Sequence, residues 1–425
     1  MTGEGEQGRD PAHNAWPALT TEARDWTSTL DDGRVSVWDR RRLARPYQAS
    51  VLPSIAGLTP HISGAVQAVV DQATSDVARF DSEVAAMPVP MPAVLLRTES
   101  ASSSQIEHLT SNARNLAMAS LGVGGKQNAE LVAANVRAMN EALAVGDDVT
   151  SATILAVHRA LLASSDPDVA GHLRAEQVWV GSSALSPHDA DFVPPHHDRV
   201  PATLEDLIVF AGRDDIPALV HAALVHAQFE TIHPFVDGNG RTGRVVLHQV
   251  LRRRGLTRHT TVPVSAGLLR DPERYFRALT SYRQGDIDAI VEQVAHAALA
   301  ATLNGRRLAH EVTNLRASWR EQITARADSA AWRLADALFA QPVVNAEYVA
   351  TTLGLSDRGA RNAIEVLETS GILRAATSAH RNRVWQAPTV LTAMDAFAGR
   401  AGRRSIADAS VLPGAARGRG SGRPG

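Results

Sequence analysis

The sequence predicts a mainly helical fold with one small β-hairpin flap, followed by a winged helix-turn-helix region. Three observations carry this. Hydrophobic residues make up 44% of the 425-residue chain but aromatic ones only 4%, so the core must be mostly Ala, Leu and Val, which favours helices. Apolar residues recur at helical spacing through most segments between turn signals. β-prone runs are confined to Val178-Trp179-Val180 and to the region around Val384-Trp385.

Taken in order, residues 1–45 are rich in Gly, Asp and Thr and are expected to form a flexible N-terminal arm. A helical region over 46–145 follows. Val66, Val69, Val70, Ala73 and Val77 mark a helix over Ile62–Arg79, Met87–Pro92 is interrupted by proline, and Ser102–Leu121 and Asn128–Leu143 read as two further helices. A core over 146–305 contains the flap, in which Val178–Val180 runs into the turn chemistry of Gly181-Ser182-Ser183 and Ser186-Pro187-His188-Asp189. Helices are then expected at Leu204–Ala211 and Pro217–Ile232. For the latter, Asp214 or Asp215 can cap and Pro217 fits the first turn, where its missing N–H costs nothing. His221 and His226 on this helix read as ordinary surface or satisfied core histidines. Arg241–Arg253, closed by Gly255, then Pro272–Tyr282 and Ile287–Leu303 complete the core. Beyond a linker helix at 306–329, residues 330–390 read as winged helix-turn-helix, with Ser356 capping Asp357–Thr369 before Gly371-Ile372-Leu373 and a polar hairpin. Residues 391–425, whose end is Gly, Ala, Arg and Pro, are expected to be a disordered tail.

Lys+Arg 43 against Asp+Glu 45 leaves a net charge of −2 and a pI near 6.8, which excludes a global basic field for nucleic acid or an acidic membrane. Cys 0 excludes disulfides, thiolate nucleophiles and cysteine metal sites. The start lacks a signal peptide's cationic and apolar parts, and no apolar run approaches the ~20 residues of a membrane helix. A cytoplasmic protein without a membrane partner is expected.

The sharpest signal is His233-Pro234-Phe235-Val236-Asp237-Gly238-Asn239-Gly240-Arg241-Thr242-Gly243-Arg244, between two predicted helices. A Gly-Asn-Gly turn gathers backbone N–H groups at a helix N-terminus, where orphan donors and the macrodipole favour an anion. Arg241 and Arg244, three apart, share a face and can both reach a polyphosphate. Asp237 is a hard oxygen ligand of the kind Mg²⁺ accepts beside phosphate, and His233 can take a proton near neutral pH. Base, metal ligand, anion hole and cations are the parts of a phosphoryl or nucleotidyl transfer. A glycine-rich loop with solvated arginines is the plainer alternative, and the density of these parts within twelve residues argues against it.

The segment resembles the signature of the Fic/DOC family, HxFx[D/E]GNGRxxR, at every specified position from His233 to Arg244. The resemblance implies a helical Fic fold that binds ATP with Mg²⁺ and transfers AMP to a Ser, Thr or Tyr hydroxyl of a protein. It assigns His233 as general base, Asp237 to Mg²⁺ and Phe235 as a buried anchor. Gly238, Asn239 and Gly240 become the anion hole, with Thr242 and Gly243 beside it, Arg241 on the phosphates and Arg244 facing the γ-phosphate. Relatives that phosphorylate typically replace the last glycine, so Gly240 favours AMP transfer.

Upstream, Ser103 and Glu107 resemble the family's inhibitory motif [S/T]xxxE[G/N], with His108 in place of Gly or Asn. A carboxylate paired with Arg244 would remove the cation meant for the γ-phosphate. The flap at Val178–Ser183 resembles the hairpin on which the family lays its target as an added strand, with Val180 and Gly181 near the nucleotide. Tyr275 and Phe276 lie where relatives place aromatics near adenine; core packing is the equal alternative. Arg358, Arg361, Arg381 and Arg383 can contact DNA phosphates or form a solvated face, and the net charge favours protein contact or packing. The expected activity is protein adenylyl transfer restrained by an N-terminal helix, with ATP and a protein hydroxyl as partners, self-modification and a homodimer among the expectations. Its rivals are AMP removal or another nucleotidyl transfer by the same loop, and a winged-helix DNA-binding regulator with a nucleotide-sensing domain.

Overall fold

The computed structural model describes residues 16–26, 45–123, 127–181, 186–376 and 383–402. Two strands, β1 (Thr20–Arg24) and β2 (Tyr47–Val51), pair antiparallel in the register Thr20↔Val51 to Arg24↔Tyr47. This corrects the expectation of a loose arm over 1–45 for its described part. Trp16 is buried against Phe210 and Tyr282, and Arg24 and Arg199 both bond Glu22. The side chains that pack on this segment from the helical body lie roughly 180–270 residues away in sequence, beyond the reach of local periodicity.

Helix α1 (Gly64–Ala85), capped by Ser63, buries Val66, Val70, Ala73, Val77, Phe80 and Val84 along one stripe. Then come α2 (Met91–Ile106), α3 (Ala113–Ser120), α4 (Gln127–Val145) and α5 (Ser151–Leu162). The single helix expected over Ser102–Leu121 is therefore two helices broken at 107–112. The break has two local causes. His108 takes φ 63, and the N–H groups of His108 and Leu109 return to the carbonyls of Gln105 and Ser104, a helix-ending Schellman pattern. Asn112 then caps α3 by accepting from the Asn115 N–H at 2.8 Å.

Helices α6 (Val200–Ala211), α7 (Ala218–Ile232), α8 (Asn239–Arg253), α9 (Val264–Leu268), α10 (Pro272–Arg283) and α11 (Asp288–Gln322) complete the central body. Neither Asp214 nor Asp215 caps α7, whose N-cap position is Pro217 with no side-chain bond. Every residue from Leu219 to Ile232 is buried, so α7 is the axis of the core, and α8 packs antiparallel to it through the loop at 233–238. His221 and His226 are core histidines, with Nε2 on the Phe210 carbonyl (2.9 Å) and on the Tyr275 hydroxyl (2.8 Å). The expected helix Ile287–Leu303 and linker helix 306–329 are one continuous helix, α11, because Ala301, Leu308, Ala309 and Val312 extend its buried stripe past 303.

At the C-terminal end, α12 (Ala330–Ala340), β3 (Val343–Asn345), α13 (Ala346–Leu353), α14 (Asp357–Thr369), β4 (Arg374–Ala375) and β5 (Val384–Gln386) form three helices beside an antiparallel sheet of order β3-β5-β4. Ser356 caps α14 by accepting from the Gly359 N–H. The tail expected to be disordered from 391 is ordered as far as α15 (Pro388–Arg400), which buries Val390, Met394 and Phe397 against α11. One continuous apolar core joins this region to the central body, so residues 330–390 do not stand apart. No helix among the described residues is long and apolar enough to cross a membrane.

Candidate active site

The loop between α7 and α8 is held from within and from below. α7 ends at His233, which takes a left-handed φ of 51. Arg174, which no motif announced, fixes that turn: its Nε donates to the His233 carbonyl at 2.8 Å, its Nη2 to the Pro195 carbonyl, and its backbone N–H to Pro234. Phe235 is fully buried and stacks on His158, centroids 3.7 Å apart and planes 3° from parallel. His158 accepts from the Gly171 N–H through Nδ1 (2.9 Å), which leaves Nε2 to donate to the Asp237 carbonyl at 3.0 Å. Burial holds this imidazole down to about 4, so it acts as a neutral strut.

Asn239 turns its side chain inward, where Oδ1 accepts from the Phe235 N–H (2.9 Å) and Nδ2 donates to the Phe235 carbonyl (2.8 Å). The residue expected in the anion hole thus shapes the loop with its side chain and can offer an anion only its backbone. Gly238, at φ 77, starts α8 in a conformation that L side chains resist. At Gly240 a Cβ would come 2.5 Å from a Glu107 oxygen and 2.9 Å from an Arg244 nitrogen, so glycine is what lets the cations approach the turn.

Burial of its surroundings holds the His233 imidazole down to about 4, helped by the nearby Arg174 and Arg283 cations. Its Nδ1 faces the Glu230 carbonyl at 3.3 Å, which assigns the proton to Nδ1 and the lone pair to Nε2. Arg283 stacks its guanidinium on Phe192 at 3.5 Å beside this histidine.

Arg241 and Arg244 are both occupied by one carboxylate. Glu107 Oε1 accepts from Arg244 Nη2 (2.9 Å) and Oε2 accepts from Arg241 Nε (2.7 Å). Ser103 adds its hydroxyl oxygen and its carbonyl to Arg244, both at 2.8 Å. The motif resemblance implied a pair with Arg244 alone; the structure adds Arg241. Burial works against the Arg244 charge, but Glu107, Tyr275 and Glu230 outweigh it and hold the guanidinium above its usual range. Beneath it, Glu230 is pushed up by burial to about 7, with Arg244 pulling the other way.

The segment that delivers Glu107 is polar yet enclosed: Arg97 to Ser104, the run RTESASSS, is buried throughout. Most of its polar groups find partners, Ser100 Oγ and Arg97 Nη1 excepted. Glu99 accepts from His248 Nε2 (2.8 Å), the Ser265 N–H (2.9 Å) and the Ser265 hydroxyl (2.5 Å). Asn135 donates to the Ser100 carbonyl at 2.8 Å. His248 lies one turn beyond Arg244, so Glu99, Ser103 and Glu107, spaced by four, meet His248, Arg244 and Arg241 along an antiparallel seam. The regular spacing of four was the sequence signal for the seam, and neither Glu99 nor His248 was singled out.

Other expected site residues are placed differently. Tyr275 is 1% exposed and bonds His226, which removes it from any surface on which a base could stack, whereas Phe276 is 50% exposed. Thr242 is fully buried, and a Cβ on Gly243 would meet Glu230 and Phe229 at 2.9 Å, so Gly243 faces α7 rather than the cradle. The flap is one antiparallel bridge, Val180↔Phe192, with Val180 exposed and Gly181 pressed against Asp191; Ser182 and Ser183 lie outside the described residues. Among the described residues no cluster of three or more metal-ligating side chains exists. Asp237 stands by the loop with its Oδ1 on the Gly238 N–H and 3.6 Å from Arg241 Nη2. A single carboxylate next to a phosphate cradle fits a Mg²⁺ that arrives with its nucleotide, which needs one or two carboxylates and phosphate oxygens.

Comparison with known proteins places this geometry. The Fic/DOC family model matches residues 148–251. The chain is 30% identical over 152 residues to a protein adenylyltransferase, fic-1, of Caenorhabditis elegans, a match covering 35% of this chain and 27% of that one. It is 29% identical over 152 residues to the protein adenylyltransferase Fic of Nematostella vectensis, covering 35% and 32%. It thus spans about a third or less of the length of these curated relatives. A Fic family protein from Desulfovibrio desulfuricans superposes with a TM-score of 0.50 at 22% identity, covering 79% of this chain and 98% of that one, a likeness of fold. The loop, its buried struts and the matched span agree: this chain carries a Fic/DOC family domain.

Proposed function

We propose that the protein is an adenylyltransferase that moves AMP from ATP to a protein hydroxyl and is held inactive by Glu107. The observation that carries this is the double capture of Arg241 and Arg244 by one carboxylate at the mouth of the glycine turn. Arg241 Nη1 is buried with no hydrogen-bond partner among the described residues, a donor suited to an anion. The activity of the relatives in comparison adds support.

In the reaction so read, Nε2 of His233 takes the proton of the target hydroxyl as its oxygen attacks the α-phosphorus. The bond to the β-phosphate oxygen breaks and pyrophosphate leaves. Arg241 and Arg244 stabilise the charge on the departing phosphates, and backbone N–H groups at Gly238–Gly240 receive the rest. Asp237 is the residue that would hold Mg²⁺, which neutralises phosphate charge when bound. Such a pose requires Glu107 to leave. The target would lie along the exposed edge at Val180, main chain to main chain.

We further read the C-terminal region as a winged helix-turn-helix that serves protein contact rather than DNA. Arg383 is committed to Glu368 and to the Trp385 ring, Arg358 and Arg361 stand exposed beside the equally exposed Asp357 and Glu365, and Arg381 lies outside the described residues. A reducing cytoplasm suits a chain without cysteine.

The test is incubation of wild type, Glu107→Gly and His233→Ala with Mg²⁺ and each nucleoside triphosphate, read by intact mass. A gain of one AMP, strongest in Glu107→Gly and absent in His233→Ala, is the expected result. No gain with any nucleotide in Glu107→Gly would sink the reading.

A further inference from the structure

The inhibitory turn is slung between two anchors on the C-terminal region, and one side chain joins them. Gln341, buried just past the end of α12, accepts from Arg97 of α2 through Oε1. Its Nε2 donates to the Ala117 carbonyl of α3 at 2.7 Å and to the Val343 carbonyl at 2.8 Å. Arg97 precedes Glu107 and Ala117 follows it, so Gln341 bridges the two helices across the turn that carries the inhibitor. Further contacts tie α3 to the same region. The Ala113 N–H donates to Asp395 at 3.0 Å, Arg114 bonds Gln386 at 2.8 Å and the Ala376 carbonyl at 3.1 Å, and Ala117 packs with Val343, Val384 and Leu391.

We propose that the C-terminal region, acting through Gln341, sets how firmly Glu107 holds Arg241 and Arg244, and so is the control element of this enzyme. The proposal rests on the reading of Glu107 as inhibitor.

The two faces of α2 tell which side is made to move. Toward the core, Glu99 has three donors. Toward the C-terminal region, Arg97 has no carboxylate in ion-pair range among the described residues, and its Nη1 is buried without a partner. Burial pushes this guanidinium down to about 10. A buried charge with one neutral acceptor weakens the interface it sits in. Replacing such a charge by an apolar side chain of similar volume is often stabilising, whereas deleting its partner leaves it uncompensated. The two ends of one hydrogen bond should therefore respond with opposite sign.

The experiment compares the full chain with Gln341→Ala and Arg97→Met, each alone and on Glu107→Gly, by amide hydrogen exchange over residues 100–112 and by the rate of AMP gain with ATP and Mg²⁺. Gln341→Ala should speed exchange there and raise the rate at least about fivefold, the lower end of usual coupling between sites. Arg97→Met should slow both. On Glu107→Gly neither should alter the rate, because there is no inhibitor left to position. Shifts of the same sign from both variants, unchanged exchange in Gln341→Ala, or a rate effect that persists on Glu107→Gly would overturn the proposal. If Gln341→Ala does not fold, the sign of Arg97→Met decides. If Glu107→Gly itself gains no mass, the transferase reading fails, and the exchange comparison still decides the coupling.

Discussion

The loop at 233–244, proposed as catalytic, and the segment at 97–108, proposed as inhibitory, meet through three hydrogen bonds to Arg244 and one to Arg241, yet they are held in different ways. The loop is shaped from within, over the struts Arg174 and His158: Asn239 pairs with Phe235 four residues back, and Gly238 supplies the left-handed start of α8. The inhibitory segment is shaped by others. Its run RTESASSS would be a solvated helix in isolation, and in its buried place Asn135, His248, Ser265 and Gln341 bond it from four other parts of the fold. On the proposed reading, chemistry sits in a largely local turn and restraint in a contact between distant segments.

The comparison can be broken from either side, beginning with the loop. His233→Ala should lower AMP transfer by about 10²- to 10⁴-fold, the usual worth of a positioned general base, with an unchanged melting temperature. The pH profile sharpens this. The lowered value near 4 means that the basic form of His233 is already present at pH 5, so the rate on Glu107→Gly should show no limb at 6.5 and fall only as pH drops toward 4. A limb near 6.5 would mean an imidazole still in water.

On the inhibitory side, Glu107→Gly removes charge-assisted bonds to both arginines, and a gain of about 10- to 100-fold in self-modification is expected. Asn239→Ala orphans the Phe235 N–H and carbonyl and should cost about 1–3 kcal/mol in a denaturant melt, with activity lost even on Glu107→Gly. The smallest effect belongs to position 108. His108 sits at φ 63, a region costing about 1 kcal/mol for a residue with a Cβ, so His108→Gly should firm the helix end and lower basal activity about fivefold. A rise in activity would show that this turn does not position Glu107.

Position 108 also shows how far sequence reasoning carries. The motif's preference for Gly or Asn was legible as a pattern, and its departure here as a question. The left-handed backbone gives the reason for both: the pattern asks for residues that tolerate φ above zero, and His is among the few others enriched there. The Ser356 cap was legible because capping is local. The break at 107–112 was not, because Ser102–Leu121 has helical spacing on both sides of it. The order of the described N-terminal residues and the continuity of α11 across 303–306 were hidden because both depend on faces supplied by distant segments.

What this sequence determined by itself is a set of groups suited to phosphate chemistry and their order: an imidazole, a carboxylate, a glycine turn and two arginines within twelve residues, where bond lengths and helix geometry leave little freedom. What only the tertiary structure decided is which of those groups are available. Glu107 reaches Arg241 as well as Arg244, Tyr275 lies beneath the site rather than at its mouth, and Gln341 ties the inhibitor to a region more than 230 residues further along the chain. Such contacts join segments with no common periodicity, and their strength comes from the burial that the completed fold provides.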